Sequence, residues 1–388
     1  MIKLNLLVLL SVVVLSCTTV TKTITITNNL AIDRSFETVE ISKSDLKLQE
    51  ADSLYEYVIE AENGSQPIAQ YEDTNGDGSV DIILFQPKVL AKSSTTYTII
   101  HIPNAELPAR EEICYSRFVP ERTDDYTWEN DKVAFRVFGP VAQKMFEDKV
   151  EGGTLSSGVD CWLKRVEYPI INKWYKKHTD GTGSYHEDTG EGLDNFHVGT
   201  SRGCGGIAIK KDSTYYISKN FTKYKTLTTG PIRTSFYIEY ADWDAAGNTI
   251  KESRMVSLDR GQNLSKFEIS LTGSTHFSVG LTLHDKKGEI IVNKDKGWIS
   301  YWEAHDGSAL GTAIVTQPES ILATEKYETD KKDLSNVFMQ VKLENNKAIY
   351  YTGFGWKKSK QFDSQEAWQQ YLNEFSEKLK SPLKVSIK

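Results

Sequence analysis

Cysteine is scarce in this chain: four in 388 residues, with no CxxC pair. Cys114, Cys161 and Cys204 stand far apart, which excludes a Cys-rich zinc site, and an odd number after Cys17 leaves at least one thiol outside any disulfide. Positive charge is short as well. Against 53 Asp and Glu there are 46 Lys and Arg, a formal −7, and no basic run occurs; nucleic acid is therefore excluded as a partner. No apolar run reaches the roughly 20 residues that a membrane-spanning helix needs.

The one sustained apolar run is N-terminal, "MIKLNLLVLLSVVVLSC", and it reads as a secretory signal (residues 1–16) ending at a lipidation site, Cys17. The mature chain is expected in the cell envelope, periplasmic or at the outer membrane, held to the membrane by a lipid anchor rather than a helix. Lys3 is the only charged residue removed, so −7 becomes −8.

Regular structure shows as period two. "TITIT", "YEYVIEA", "VDIILF", "YTIIHI", "KVAFRVF", "TSFYIEY", "SKFEISL", "FSVGLTL", "VFMQVKL" and "AIYYTGF" alternate apolar with polar and are broken by turn sequences such as "NGDG", "AAGN" and "ENNK". This predicts a mainly β fold, a large antiparallel β-sandwich. Period changes in "DSQEAWQQYLNEFSEKLKSPL", where Trp368, Tyr371, Leu372, Phe375 and Leu379 share a helical face and Asp363 with Glu366 forms a capping box, so a C-terminal helix is expected. The proline-containing "IPNAELPAREE" suggests a boundary between an N-terminal β region, 17–107, and a main region, 108–388. Between Phe118 and Arg233 the alternation thins while Trp, Tyr, Arg, His and Gly become dense, as in long loops that carry a site.

Several stretches offer chemistry. "YEDTNGDGSVDIILF" places Asp73, Asn75, Asp77 and Asp81 as the opening of a calcium loop, but Leu84 stands where the bidentate acid belongs; a hairpin turn is the favoured reading. "PERTDDYTWENDKVAFRVFGP" supplies Arg122, Trp128, Glu129, Asn130 and Arg136, an aromatic face with planar cations suited to an acidic sugar, or else an ordinary solvated loop. Downstream, Trp162 reads as core and Trp174 with Tyr175 as a sugar platform. "GSYHEDTGEGLDNFHVG" brings Tyr185, His186, Glu187, Asp188, Glu191, Asp194 and His197 together. Three readings stay open there: a metal site from His186, His197 and a carboxylate, metal-free acid–base chemistry, or a hydrogen-bonded turn. "VGTSRGCGG" adds Arg202 in a glycine setting. His101, His276, His284 and His305 lie in or beside strand-like runs and read as ordinary satisfied histidines.

The runs "PERTDDYTWENDKVAFRVFGP", "SGVDCWLKRVEYPIINKWY", "SYHEDTGEGLD", "VGTSRGCGG" and "GPIRTSF" together resemble an uncharacterised-domain family of secreted bacterial proteins encoded among polysaccharide-utilisation genes, a family that includes the oligosaccharide dehydratase of ulvan breakdown. The resemblance implies a sandwich like that of galactose mutarotases and many polysaccharide lyases. It also implies a hydro-lyase that removes water across C4 and C5 of a non-reducing-end uronic acid, in an oligosaccharide with or without sulfation. No cofactor is called for, a divalent metal being the alternative. Abstraction of H5 needs cations against the substrate carboxylate, for which Arg122, Arg136, Arg202 and Arg233 are available. His186 and Tyr185 form the first acid–base pair, with His197 as reserve acid. The rival classes are a non-catalytic glycan-binding lipoprotein and a lyase cleaving the glycosidic bond by β-elimination.

Overall fold

The computed structural model of the chain describes residues 21–49, 52–75, 77–102 and 111–388. The signal segment with Cys17, and residues 103–110 at the expected boundary, lie outside them.

The alternating segments pair antiparallel, as their period requires. The largest sheet runs Phe221–Thr228, Arg233–Tyr240, Asn248–Asp259, Leu264–Thr272, Lys347–Trp356, Ser308–Val315, Trp298–His305, Glu289–Asn293, with the short Trp243–Ala245 paired to its third member. Facing it is a five-stranded sheet ordered Thr214–Tyr216, Cys204–Lys211, His276–Thr282, Asn336–Lys342, Ile321–Tyr327. Phe236, Val256, Phe267 and Ile314 of the first meet Ile207, Val279 and Met339 of the second in one buried cluster. The fold is therefore an antiparallel β-sandwich.

The helix Gln365–Lys380 closes the outer face of the large sheet. Its N-cap is Ser364, whose Oγ accepts from the Ala367 amide at 3.2 Å, one residue later than the expected Asp363. Trp368 and Leu372 are buried beneath it, and the Trp368 indole N–H donates to Ser300 Oγ. Burying side chains of this size stabilises the docked helix by roughly 1.5–3 kcal/mol each.

A second, smaller core is built from Ile24, Ile41, Ile59, Phe85 and Ile99, between a four-stranded and a three-stranded sheet of residues 21–101. The final strand, Lys384–Ile387, returns to pair with Thr21–Thr27, so the chain's last residues belong to the N-terminal sheet. Gln70 joins the two parts, its Oε1 accepting from the amides of Ile232 and Arg233 at 2.9 Å.

Residues 115–193, expected as long loops, hold a further sheet: Tyr115–Val119, Asp125–Glu129, Ala134–Val137, Asp160–Lys164 and Gly192–Leu193, with helices Pro140–Glu147 and Ile171–Thr179. Alternation marks only part of this sheet, chiefly "KVAFRVF", because both faces of these strands are buried. One face gives Trp128, Phe135, Val137, Cys161 and Leu163 to the main core. The other carries Asp125, Arg136, Asp160 and Trp162, and on this face the functional site is assembled. Cys114, Cys161 and Cys204 are all buried free thiols.

Candidate active site

The site begins with strand register. Asp160 lies directly opposite Arg136 in the antiparallel pair, so their side chains emerge together on the same face. Arg136 donates to Asp160 Oδ2 through Nε at 2.9 Å and Nη2 at 2.6 Å, and to Asp194 Oδ2 through Nη2 at 2.8 Å. Asp125 Oδ2 lies 3.6 Å from Nη1 and accepts the Tyr175 hydroxyl at 2.9 Å. Trp162 presents its ring face to the guanidinium, 5.1 Å from Cζ.

Three carboxylates thus share one buried cation, and desolvation dominates them. Burial pushes Asp125 up to about 6 against the opposing pull of Arg136. Burial, and then the charge of Asp194, push Asp160 up to about 7. Asp194 is raised as well, burial again outweighing Arg136. Desolvation thus raises all three carboxyls against the pull of the single guanidinium.

Over this floor the loop 181–199 folds back. Gly190 and Gly192 sit at φ +112° and +107°, and a Cβ on Gly192 would meet the Leu163 carbonyl at 1.9 Å, so the chain can enter its short pairing with Asp160–Lys164 only as glycine. The Asp194 amide donates to the Tyr185 carbonyl at 2.8 Å, closing the loop. Tyr185 and His186 lie in a turn with their ring centroids 4.5 Å apart, the first buried and the second exposed. Tyr185 is buried, stacked on Trp162 and tilted against His178, with its hydroxyl accepting from Arg122 Nε at 3.1 Å and 3.5 Å from Arg136 Nη1. The His186 side chain is 54% exposed, and its Nδ1 lies 2.6 Å from the Asp194 carbonyl. That acceptor assigns the Nδ1 proton and leaves the Nε2 lone pair free. Asp188 and Glu191 hold the loop from outside, pairing with Arg165 and Lys173.

A cleft of about 570 Å³ opens here, lined by Arg122, Arg136, Asp160, His186, Asp194 and His197 among others. Arg122 is the least committed cation of the site. It hydrogen-bonds Tyr185 and Thr123, and among the described residues no carboxylate pairs with it. His197, 58% exposed, contacts Asp333 Oδ1 at 3.1 Å through Nε2.

The structure brings Arg122, Arg136, Tyr185, His186, Asp194 and His197 together and places the other expected residues elsewhere. Trp128 is fully buried in the main core, its indole bonded to Ser265. Trp174 and Tyr175 pack on Trp162 in the interior, so neither forms a sugar platform. Glu129 binds Lys164 at 2.7 Å and accepts from the amides of Ile170 and Ile171, supplying negative charge at the start of the helix Ile171–Thr179. Asn130 shapes its own turn through Lys132 and Val133 and bonds the Asp259 and Gln262 carbonyls. Arg202 is fully buried and spent on Ser157, Ile207 and Thr200, so it cannot reach a substrate in the cleft. Arg233 pairs with Asp259 and Glu40 in a separate cavity. The segment 73–81 links two paired strands, with Asp73, Asn75, Asp77 and Asp81 accepting from amides of their own turn. That is the hairpin turn.

Asp125, Asp160 and His178 were missed in the sequence. The available signal was Asp160 in "GVDCWLK", an acid at a core-strand position two residues from a tryptophan.

The chain's residues 26–385 match the model of the domain of unknown function DUF4861. The chain belongs to that family. It is 54% identical over 367 residues, 94% of this chain and 93% of the relative, to uncharacterized protein P7 of Formosa agariphila. Among solved structures it is similar to a protein in glycosyl hydrolase family 38 from Enterococcus faecalis, at TM-score 0.53 and 10% identity, covering 95% of this chain and 47% of that one. An alpha-mannosidase from Enterococcus faecalis V583 is similar at TM-score 0.45 and 10% identity, covering 95% and 46%. The chain spans about half the length of these structures, and the first likeness is one of sandwich fold.

Proposed function

We propose that this DUF4861 protein is a carbon–oxygen lyase of the cell envelope, anchored through Cys17, which dehydrates a terminal uronic acid across C4 and C5. The reading rests on the resemblance to the ulvan oligosaccharide dehydratase and on one observation: Arg122, without a carboxylate partner among the described residues, and His186, with its Nε2 lone pair free, line the same cleft.

In this mechanism the substrate carboxylate docks on Arg122, which spreads the negative charge that develops when C5 loses its proton. His186 Nε2 takes H5. The C5–H electron pair forms the C4–C5 double bond as the C4–O bond breaks, and the departing hydroxyl leaves as water with a proton from His197. Tyr185, buried behind Arg122, orients that guanidinium rather than meeting the sugar. The acid role thus passes from Tyr185 to His197, which lines the cleft.

Trp128, Trp174 and Tyr175 are buried, so a glycan-binding protein would have to use other rings of the cleft, such as Phe146. The test is incubation of the mature chain with uronate-terminated oligosaccharides, following ultraviolet absorbance and intact mass. Rising absorbance with loss of one water at constant chain length is expected. Shortened chains would replace dehydration by β-elimination of the glycosidic bond, and saturable binding without product would replace catalysis altogether.

A further inference from the structure

Behind the cleft wall lies a second cluster. Glu303 and His305 stand at i and i+2 of the strand Trp298–His305 and so share a face. His284 follows the strand His276–Thr282 of the opposite sheet. The three meet between the sheets, one donor atom from each within 4.8 Å of the others.

Two features of this meeting are unlike an ordinary ion pair. Glu303 is 2% exposed, and among the described residues its Oε2 has no hydrogen-bond partner; a buried carboxylate oxygen in that state is costly unless a cation completes it. Both imidazoles are also oriented from outside. His284 Nε2 lies 2.9 Å from the His197 carbonyl, and His305 Nε2 lies 3.1 Å from Asn195 Oδ1. With each Nε2–H donated to those acceptors, the Nδ1 atoms face the cluster; in the metal-free chain His284 Nδ1–H donates to Glu303 Oε1 at 2.5 Å, and that proton is the one a metal ion would displace. An outward N–H held by a carbonyl or amide oxygen is the support that metal-bound histidines receive.

We propose that His284 Nδ1, His305 Nδ1 and the Glu303 carboxylate bind one divalent transition-metal ion, zinc in the first instance. Two imidazoles and one carboxylate suit such an ion rather than calcium or magnesium. Ligand distances of about 2.0–2.2 Å place tetrahedral donors about 3.4 Å apart, so the His284–Glu303 contact opens as the ion enters, with the fourth position left to water. Asn195 and His197 belong to the cleft wall. The ion therefore fastens that wall to both sheets, independently of the reaction proposed above.

Isothermal titration of the chelator-stripped mature chain with zinc chloride, together with absorption spectra of the cobalt(II) form, tests the site. One equivalent should bind with Kd below about 1 μM, with cobalt bands of four- or five-coordinate intensity. His305→Ala and Glu303→Gln should each weaken binding at least about 100-fold, and Asn195→Ala about 10- to 100-fold. Circular dichroism melts of the metal-free proteins identify any variant that does not fold; Asn195→Ala, which leaves all three ligands in place, then decides. Absence of saturable binding to the wild type, or one-equivalent binding unchanged in the folded variants, would overturn the proposal.

Discussion

His186 and Asp194 are linked through two different atoms of one aspartate: His186 Nδ1 lies 2.6 Å from the Asp194 carbonyl and 3.7 Å from its Oδ2. The same carboxylate oxygen accepts from Arg136 at 2.8 Å. Backbone and side chain of Asp194 therefore set the tautomer of His186, the proposed base, and tie it to the buried cation. Loop closure and the geometry of the candidate site are one arrangement.

Replacing His186 by Ala removes the base and leaves the floor intact. Turnover of a uronate-terminated oligosaccharide should fall about 10²- to 10⁴-fold with KM little changed, measured by initial rates of absorbance. Near-normal turnover would reassign the base.

For Arg122 the interaction lost is with the substrate carboxylate. An unscreened pair near 4 Å at an effective dielectric of ~20 is worth roughly 4 kcal/mol, but Arg122 is partly exposed, so solvent screening reduces it. Arg122→Ala should lower kcat/KM about 10- to 100-fold. Arg122→Lys should recover only part, since it lacks the planar fork.

Asp160 makes a prediction about pH and stability. Its carboxyl is raised to about 7 in the folded chain, above an unfolded value of about 3.9. The folded state binds the extra proton, so the associated stability is complete below the unfolded value and is lost as pH rises through about 7. In urea unfolding, the stability of wild type minus Asp160→Asn should therefore shrink between pH 5 and pH 8, by up to a few kcal/mol. A difference that grows with pH would show Asp160 acting as an ordinary stabilising ion-pair partner.

Glu129 distinguishes structure from binding. Lys164 is fully buried against it, and a buried charge that loses its partner costs about 3–5 kcal/mol. Glu129→Gln should lower the unfolding free energy by that order, while the kcat of the folded fraction stays close to wild type. A lowered kcat in a chain as stable as wild type would return Glu129 to the site.

The sequence by itself determined the sandwich and its closing helix, because period two over exposed-to-buried strands and period 3.6 over "AWQQYLNEF" are local statements that each segment makes alone. It also pointed to the loop that lines the cleft: glycines at Gly190 and Gly192 permit a turn that other residues resist, and titratable residues lie on both sides of it. Only the tertiary structure decided which residues meet. Alternation announced the strand that carries Arg136, in "KVAFRVF", but not that its polar face turns inward: the strands of Asp125, Arg136 and Asp160 are buried on both faces, and what lies against them is set by distant segments. Trp128, Trp174 and Tyr175 have the composition of a sugar platform but lie in the core, since an aromatic ring suits either setting equally well. His284 and His305 looked ordinary because His284 is brought to Glu303 and His305 from the opposite sheet, and sequence spacing carries no record of sheets packing face to face.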